Sequence, residues 1–315
     1  LVEMIRDWDL PTAEFQKILE PYGVQPLSRP TRLLGGLANH NYLIESKIDT
    51  YVLTIFESKS QEDVHAQVRL LNHLSQHKFT ASLPVSRSDG HEVSAFQGHP
   101  VLLRTYLKGQ VPKHLDRKQV REVGTLIAKL HQIPPPKTLT TTHEYGIEFI
   151  QAILASPYHP DAFFDWLQQM NDKVSKGLGT SQICLIHGDV FTDNIIVSPE
   201  GRLVFIDFEE ACLGPRAYDL GMTLVGTCIS RQYPDVNLIS QLIEGYQQIT
   251  SLDDEELRSL KYFATMAAMG TTFWRYNAYF LNSKDPAKRL IYQEMQAVAE
   301  AILSIPDNLF VKLNK

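Results

Sequence analysis

The chain has 315 residues, 43% of them hydrophobic and 10% aromatic, and 30 Lys plus Arg against 36 Asp plus Glu leave a formal net charge of −6. That composition buries a core and excludes a disordered chain. No run of 18 apolar residues is present to cross a membrane as a helix, and the acidic balance supplies no basic patch for nucleic acid or an anionic membrane surface. Leu1 to Leu10 carries Glu3, Arg6, Asp7 and Asp9, unlike a signal peptide, and a chain opening on Leu1 is expected to start inside a longer or processed one. Cys184, Cys212 and Cys228 match neither a disulfide framework nor zinc-ligand spacing, so a reducing compartment, the cytoplasm, is expected.

In chain order, Pro11 to Tyr22 predicts a short amphipathic helix through Phe15, Ile18 and Leu19, with Thr12 as its cap. Asn41–Ile44 and Tyr51–Phe56, separated by a polar turn, predict an antiparallel pair. Glu62 to His77 predicts a helix whose buried stripe is Val64, Val68, Leu71 and Leu74. Leu83-Pro84-Val85 and His99–Leu103 are read as continuing the sheet through tight turns. After Lys108-Gly109 the character changes. Arg117 to His131 predicts a helix ended by Pro134-Pro135-Pro136, and Phe149 to Leu178 further helices. Strands return at Ile183–Ile186, Ile195–Val197 and Leu203–Ile206, and the chain from about Pro215 reads as helical. These patterns predict an α+β protein with a boundary near Leu107: a small sheet-rich part, 1–107, and a larger helical part, 108–315.

Ile186-His187-Gly188-Asp189-Val190-Phe191-Thr192-Asp193-Asn194 is followed, thirteen residues beyond Asn194, by Asp207 within Ile206-Asp207-Phe208. A carboxylate, an amide five residues later and a second carboxylate across a hairpin suit phosphoryl transfer. One carboxylate orients and accepts the proton of an attacking hydroxyl, while the amide and the other carboxylate hold magnesium, a hard cation that takes oxygen ligands.

The whole pattern, HGDxxxxN, an apolar strand and then IDF, resembles the aminoglycoside phosphotransferase and choline kinase superfamily, small-molecule relatives of protein kinases. The resemblance implies a protein-kinase-like two-lobe fold with a small antiparallel-sheet N-lobe and a larger helical C-lobe. It implies ATP and Mg2+, Asp189 as catalytic base, Asn194 and Asp207 as magnesium ligands, and His187 as a brace of the loop. Gly214-Pro215-Arg216-Ala217-Tyr218-Asp219 resembles the family's next block and makes Asp219 a buried hydrogen-bonding support. In such a lobe Gly36, Leu37 and Ala38 of the glycine-containing turn cover the triphosphate, and Val101–Gly109 is the hinge, whose Thr105 carbonyl and Leu107 amide read adenine. The chain departs from the family where Thr54 stands in place of the strand lysine and Gln67 in place of its helix glutamate; Lys59 is the candidate replacement cation.

Gly36–Tyr42, Tyr51–Glu57 and Lys284-Asp285-Pro286 resemble the bacterial homoserine kinases of this fold, whereas Leu213–Arg216 is closer to other branches. On the acceptor side Glu209 is a candidate for an ammonium group, and Arg216 and Arg275 for a carboxylate. The expected partner is therefore a small amino-bearing molecule, L-homoserine first. An aminoglycoside, a choline-type alcohol, a protein serine, or a nucleotide-binding pseudokinase are the alternatives.

Overall fold

The structure is a computed structural model that describes residues 10–33, 39–141, 143, 146–155, 162–282 and 285–313. The chain divides into two compact units: 1–110 together with 196–206, and 111–195 together with 207–315. A single cut near Leu107 thus does not describe the chain, because the hairpin at 196–206 returns to the first unit. It is tied there by antiparallel bonds between Gln110 and Val197, at 3.0 and 2.9 Å.

The first unit opens with α1 (Thr12–Leu19), which buries Phe15, Ile18 and Leu19. The residue ahead of the first turn is Pro11 at φ −61°, without a side-chain cap, so Thr12 is the first helical residue and not the expected cap. The strands β1 (Thr31–Arg32), β2 (Asn39–Glu45) and β3 (Thr50–Phe56) precede α2 (Gln61–Gln76), and β4 (Val93–Phe96) and β5 (His99–Thr105) complete an antiparallel sheet ordered β1-β2-β3-β5-β4. Ser60 and Asp63 start α2 by reciprocal capping: Asp63 N donates to Ser60 Oγ at 3.2 Å and Ser60 N to Asp63 Oδ2 at 2.9 Å. Leu83–Val85 joins β5 as a bridge with Pro84 opposite Arg104, Val85 N donating to the Leu103 carbonyl and Thr105 N to the Leu83 carbonyl, both at 2.8 Å; the longer edge beside β5 is β4, which the sequence reading passed over.

Alternation along β3 and β5 divides the sheet into two faces. Leu53, Ile55, Val101 and Leu103 pack with Phe15, Leu19 and Tyr42. The other face sets Phe56, Leu102 and Val93 against Val64 and Val68 of α2.

The second unit is built on helices. α3 (Arg117–His131) has the predicted bounds and a capping box of Asp116 with Gln119. α4 (Ile147–Leu154), α5 (Ala162–Val174) and β6 (Ile183–Ile186) follow; the chain then makes the paired β7 (Ile195–Val197) and β8 (Leu203–Phe205), the hairpin grouped with the first unit, before β9 (Cys212–Pro215) pairs with β6. α6 (Arg216–Thr227) leads into a two-stranded ribbon, β10 (Ile229–Ser230) and β11 (Tyr233–Pro234), within the stretch expected to be helical throughout. α7 (Val236–Gln247), α8 (Asp254–Arg275), α9 (Tyr292–Leu303) and α10 (Leu309–Leu313) complete the chain. The neighbours are α3 with α7, α6 with α8, and α8 with α9. The small antiparallel sheet and mainly helical remainder make the fold α+β and protein-kinase-like. Cys184, Cys212 and Cys228 are buried free thiols, and no helix among the described residues is long and apolar enough to cross a membrane.

Candidate active site

The segment after β6 turns sharply at Gly188, whose φ is +82°. A side chain there would lie 2.7 Å from both the Glu210 carbonyl and His143 Nε2, so only glycine fits. The turn is held from beneath by Asp219 of α6. Its Oδ2 accepts from His187 N at 2.8 Å and its Oδ1 from Gly188 N at 2.8 Å. His131 Nε2 donates to Oδ2 at 2.9 Å, and its Nδ1 meets the Tyr246 hydroxyl at 2.8 Å. Burial alone would raise the Asp219 carboxyl. The His131 hydrogen bond and charge, with the His187 charge and amide, outweigh it and leave the pKa below its ordinary value. Asp219 is therefore an ionised, fully partnered strut under the loop.

His187 is buried, accepts from Asp189 N through Nδ1 at 3.3 Å, and packs its ring on Phe208 at 4.6 Å between centroids. α6 also carries Gly226 against the loop: a Cβ there would sit 2.1 Å from the Val190 carbonyl, while Thr192 Oγ1 donates to the Gly226 carbonyl at 3.0 Å. The loop then makes a 3-10 turn, Thr192–Asn194, which aims Asn194 back at Asp189. Asn194 Nδ2 donates to the Asp189 carbonyl at 2.8 Å and to Asp189 Oδ2 at 2.9 Å. Its Oδ1 remains an acceptor.

Asp189 is the electrostatic outlier of this unit. Burial, and then the nearby carboxylates of Asp207 and Asp193, push its pKa up to about 7, only partly opposed by Asn194. Asp207 is exposed and left-handed at φ +65°, a conformation unusual for a residue with a side chain. The donor set is one amide oxygen and one exposed carboxylate beside a second, and the described residues contain no gathered group of three or more His, Cys, Asp or Glu. Such a set fits magnesium, which is commonly held by one or two carboxylates plus substrate phosphates and water, and it would answer the uncompensated negative charge around Asp189.

The acceptor-side candidates separate. Glu209 lies half-buried in the 3-10 turn Phe208–Glu210, directly after Asp207. Arg275 ends α8, where the helix passes into a π-turn at Tyr276–Leu281. Burial lowers its pKa against the charges of Glu294 and Asp193, so it stands within electrostatic reach of Asp193. Arg216 is not available to an acceptor carboxylate. Its Nε and Nη2 make a bidentate pair with Glu256 at 2.6 and 2.5 Å, and Nη2 also donates to the Ser251 carbonyl at 3.1 Å. It follows Pro215, which pairs with Ile183 at the start of β6, whereas the catalytic turn leaves the strand's other end, about 10 Å away at ~3.3 Å per residue.

Of the nucleotide-side candidates, Gly36, Leu37 and Ala38 lie outside the described residues. The Thr105 carbonyl accepts from Ser82 Oγ at 2.6 Å, leaving one lone pair, and Leu107 follows β5. Lys59 sits ahead of α2, where its charge acts on Asp63. Thr54 is fully buried and bonds to Asn41, and Gln67 is buried on α2. Sequence reasoning missed His143, whose Nε2 lies 3.2 Å from the Gly188 carbonyl and whose Nδ1 lies 3.4 Å from the Tyr218 hydroxyl. It falls in a stretch with no motif. Only the glycine in His-Gly-Asp, which implies something packed close, hints at a neighbour.

Comparison with known proteins places these features. The model of the phosphotransferase enzyme family matches residues 30–260. A homoserine kinase of Agrobacterium fabrum (strain C58 / ATCC 33970) is 25% identical over 279 residues, covering 83% of this chain and 84% of that one. A homoserine kinase of Bartonella tribocorum is 27% identical over 273 residues, covering 83% and 84%. Among solved structures, the amicoumacin kinase hAmiN in complex with AMP-PNP, Ca2+ and Ami superposes with a TM-score of 0.74 at 18% identity over 94% of this chain and 96% of that one. The microcompartment-associated aminopropanol kinase gives 0.72 at 16% identity over 93% and 95%. These two share the fold. With the family model covering most of its length, the chain belongs to the phosphotransferase enzyme family and is a phosphotransferase.

Proposed function

We propose that the protein transfers the terminal phosphoryl group of ATP to a hydroxyl of a small amino-bearing molecule, with L-homoserine the first candidate. The observation that carries this reading is the Asp189–Asn194 pair. The Asn194 amide donates to Asp189 Oδ2 and to the Asp189 backbone carbonyl, which fixes a half-buried carboxyl beside the exposed carboxylate of Asp207. A carboxylate oriented in this way can take the proton of an acceptor hydroxyl that hydrogen-bonds to it. The acceptor oxygen bonds to the terminal phosphorus as the bond to the ADP oxygen breaks, and the hydroxyl proton passes to the Asp189 carboxylate. Asn194 Oδ1 and Asp207 would hold magnesium, which supplies charge neutralisation on the phosphates. His187 and Asp219 keep the loop in place and take no part in bond making.

Homoserine is favoured by the two relatives named above, and it carries both an ammonium and a carboxylate. Glu209 is the candidate for the first and Arg275 for the second, a guanidinium being suited to bidentate capture of a carboxylate. Nucleotide binding is further supported by the similarly folded amicoumacin kinase, which was solved with AMP-PNP. The buried free thiols fit the cytoplasm as its compartment.

ADP release measured against a panel of L-homoserine, aminopropanol, ethanolamine, choline, an aminoglycoside and a serine peptide tests the reading. L-Homoserine is expected to give the largest kcat/KM. A flat response to it beside a strong response to another alcohol overturns that choice. ATP binding that is indifferent to magnesium, without turnover of any acceptor, overturns the enzyme in favour of a pseudokinase.

A further inference from the structure

β3 carries no lysine: Thr54 occupies the position, and its side chain lies on the α2 face of the sheet. Register puts Thr54 opposite Leu102 and Val52 opposite Arg104. Residues two apart on a strand share a face, so Arg104, Leu102, Thr54 and Phe56 all belong to the face that α2 covers. Arg104 Nη2 donates to Thr54 Oγ1 at 3.1 Å, and Thr54 Oγ1 donates to Asn41 Oδ1 at 2.7 Å. The guanidinium of β5 thereby reaches the residue that stands where the strand cation is missing.

Two further features of this face concern what is left unpaired. Arg104 is half-buried and meets no carboxylate among the described residues, and its Nε is buried without a hydrogen-bond partner. Among the described residues, its bond to Thr54 is the one side-chain hydrogen bond it makes. Gln67, 7% exposed on α2, also holds a buried Nε2 with no acceptor. A buried donor without a partner lowers stability, more so when charged, and such an arrangement suits a site that waits for an anion.

We propose that Arg104 is the phosphate-binding cation of this protein, supplying from β5 the positive charge that the wider superfamily is expected to carry at the Thr54 position. Thr54 and Asn41 act as positioning residues that hold the guanidinium, and the ligand it meets is the polyphosphate of the nucleotide. This inference rests on the ATP reading above.

The test compares ligands that differ only in phosphate. Calorimetric titration with ATP, ADP and adenosine is carried out on the wild-type chain and on Arg104→Met and Arg104→Lys. Arg104→Met should weaken ATP and ADP by about 10- to 100-fold while adenosine stays within about twofold, the unchanged adenosine site serving as the check on folding. Arg104→Lys, which keeps the charge, should hold ATP within about fivefold. A guanidinium that merely stabilises the sheet would weaken adenosine and ATP in parallel, and that result overturns the proposal, as does a Met variant with wild-type ATP affinity. Both outcomes leave the kinase reading standing. Absence of ATP and adenosine binding by the wild-type chain instead removes the kinase reading itself.

Discussion

Asp219 in the second unit and Gln67 in the first are comparably buried polar side chains with opposite surroundings. Both oxygens of Asp219 are taken up by His187 N, Gly188 N and His131 Nε2, at 2.8, 2.8 and 2.9 Å. Gln67 Nε2 and the neighbouring strand's Arg104 Nε find nothing. The contrast separates two kinds of site. A turn that carries out chemistry, as proposed for the one after β6, must hold one geometry through the reaction, so its supports are satisfied within the fold and the cost of ordering falls on folding. A face that receives a charged ligand gains by keeping donors unspent, since a group already paired must break that pair to bind.

The largest effect that would sharpen this contrast is on chemistry. Asp189→Asn is expected to lower kcat at least about 10^3-fold while changing ATP affinity by less than about threefold. Turnover within tenfold of wild type, by coupled ADP assay, would break the assignment of the second unit as the reacting one.

Asp219→Ala comes next. It strands two backbone N–H groups and His131 in a buried setting, and a loss of about 3–5 kcal/mol in denaturant-derived stability is expected, with little change in KM of the molecules that remain folded.

The third effect depends on pH. The unfolded Asp189 carboxyl ionises near 3.8 and the folded one near 7. Between those values the folded chain keeps a proton that the unfolded chain has lost, so stability falls as pH rises from about 4 to 7 and levels off above. In metal-free protein, Asp189→Asn should remove that slope and be more stable than wild type at pH 8 by roughly 2–4 kcal/mol, converging with it near pH 4. Added magnesium should narrow the gap at pH 8 by offsetting the same repulsion. Thermal melts across this range, with and without the metal, would show it.

The smallest effect belongs to the first unit. Gln67→Leu places an apolar side chain beside Val64 and Val68 and removes an unpaired donor, and should be neutral or stabilising by about 1 kcal/mol. A loss of more than about 1 kcal/mol would mean that Gln67 has structural work like that of Asp219, and the contrast between the regions would fail.

The parts of the site that were legible in the sequence are those where chemistry and spacing are local. His187, Gly188, Asp189 and Asn194 lie within eight residues, and the turn that brings Asn194 Nδ2 to Asp189 is made by those residues themselves. Helices with long stripes were legible for the same reason, α3 to the residue. Thr12 was misread as a cap because a threonine and a proline at adjacent positions both suit a helix start, and only backbone angles tell which lies inside. Leu83–Val85 joins the sheet by a short bridge, and β4 was passed over because which segment forms the longer edge is decided by pairing with β5.

The sequence by itself determined the phosphotransferase family, through a motif of side chains a few residues apart whose geometry local turns enforce. Tertiary structure alone decided which distant groups meet: Arg216 with Glu256 across 40 residues, His143 with Gly188 across 45, Arg104 with Thr54 across 50. Such pairs depend on strand register and helix packing, and an arginine's reach is wide enough that charge and spacing along the chain cannot say whether it ends at a glutamate, a hydroxyl or an open face.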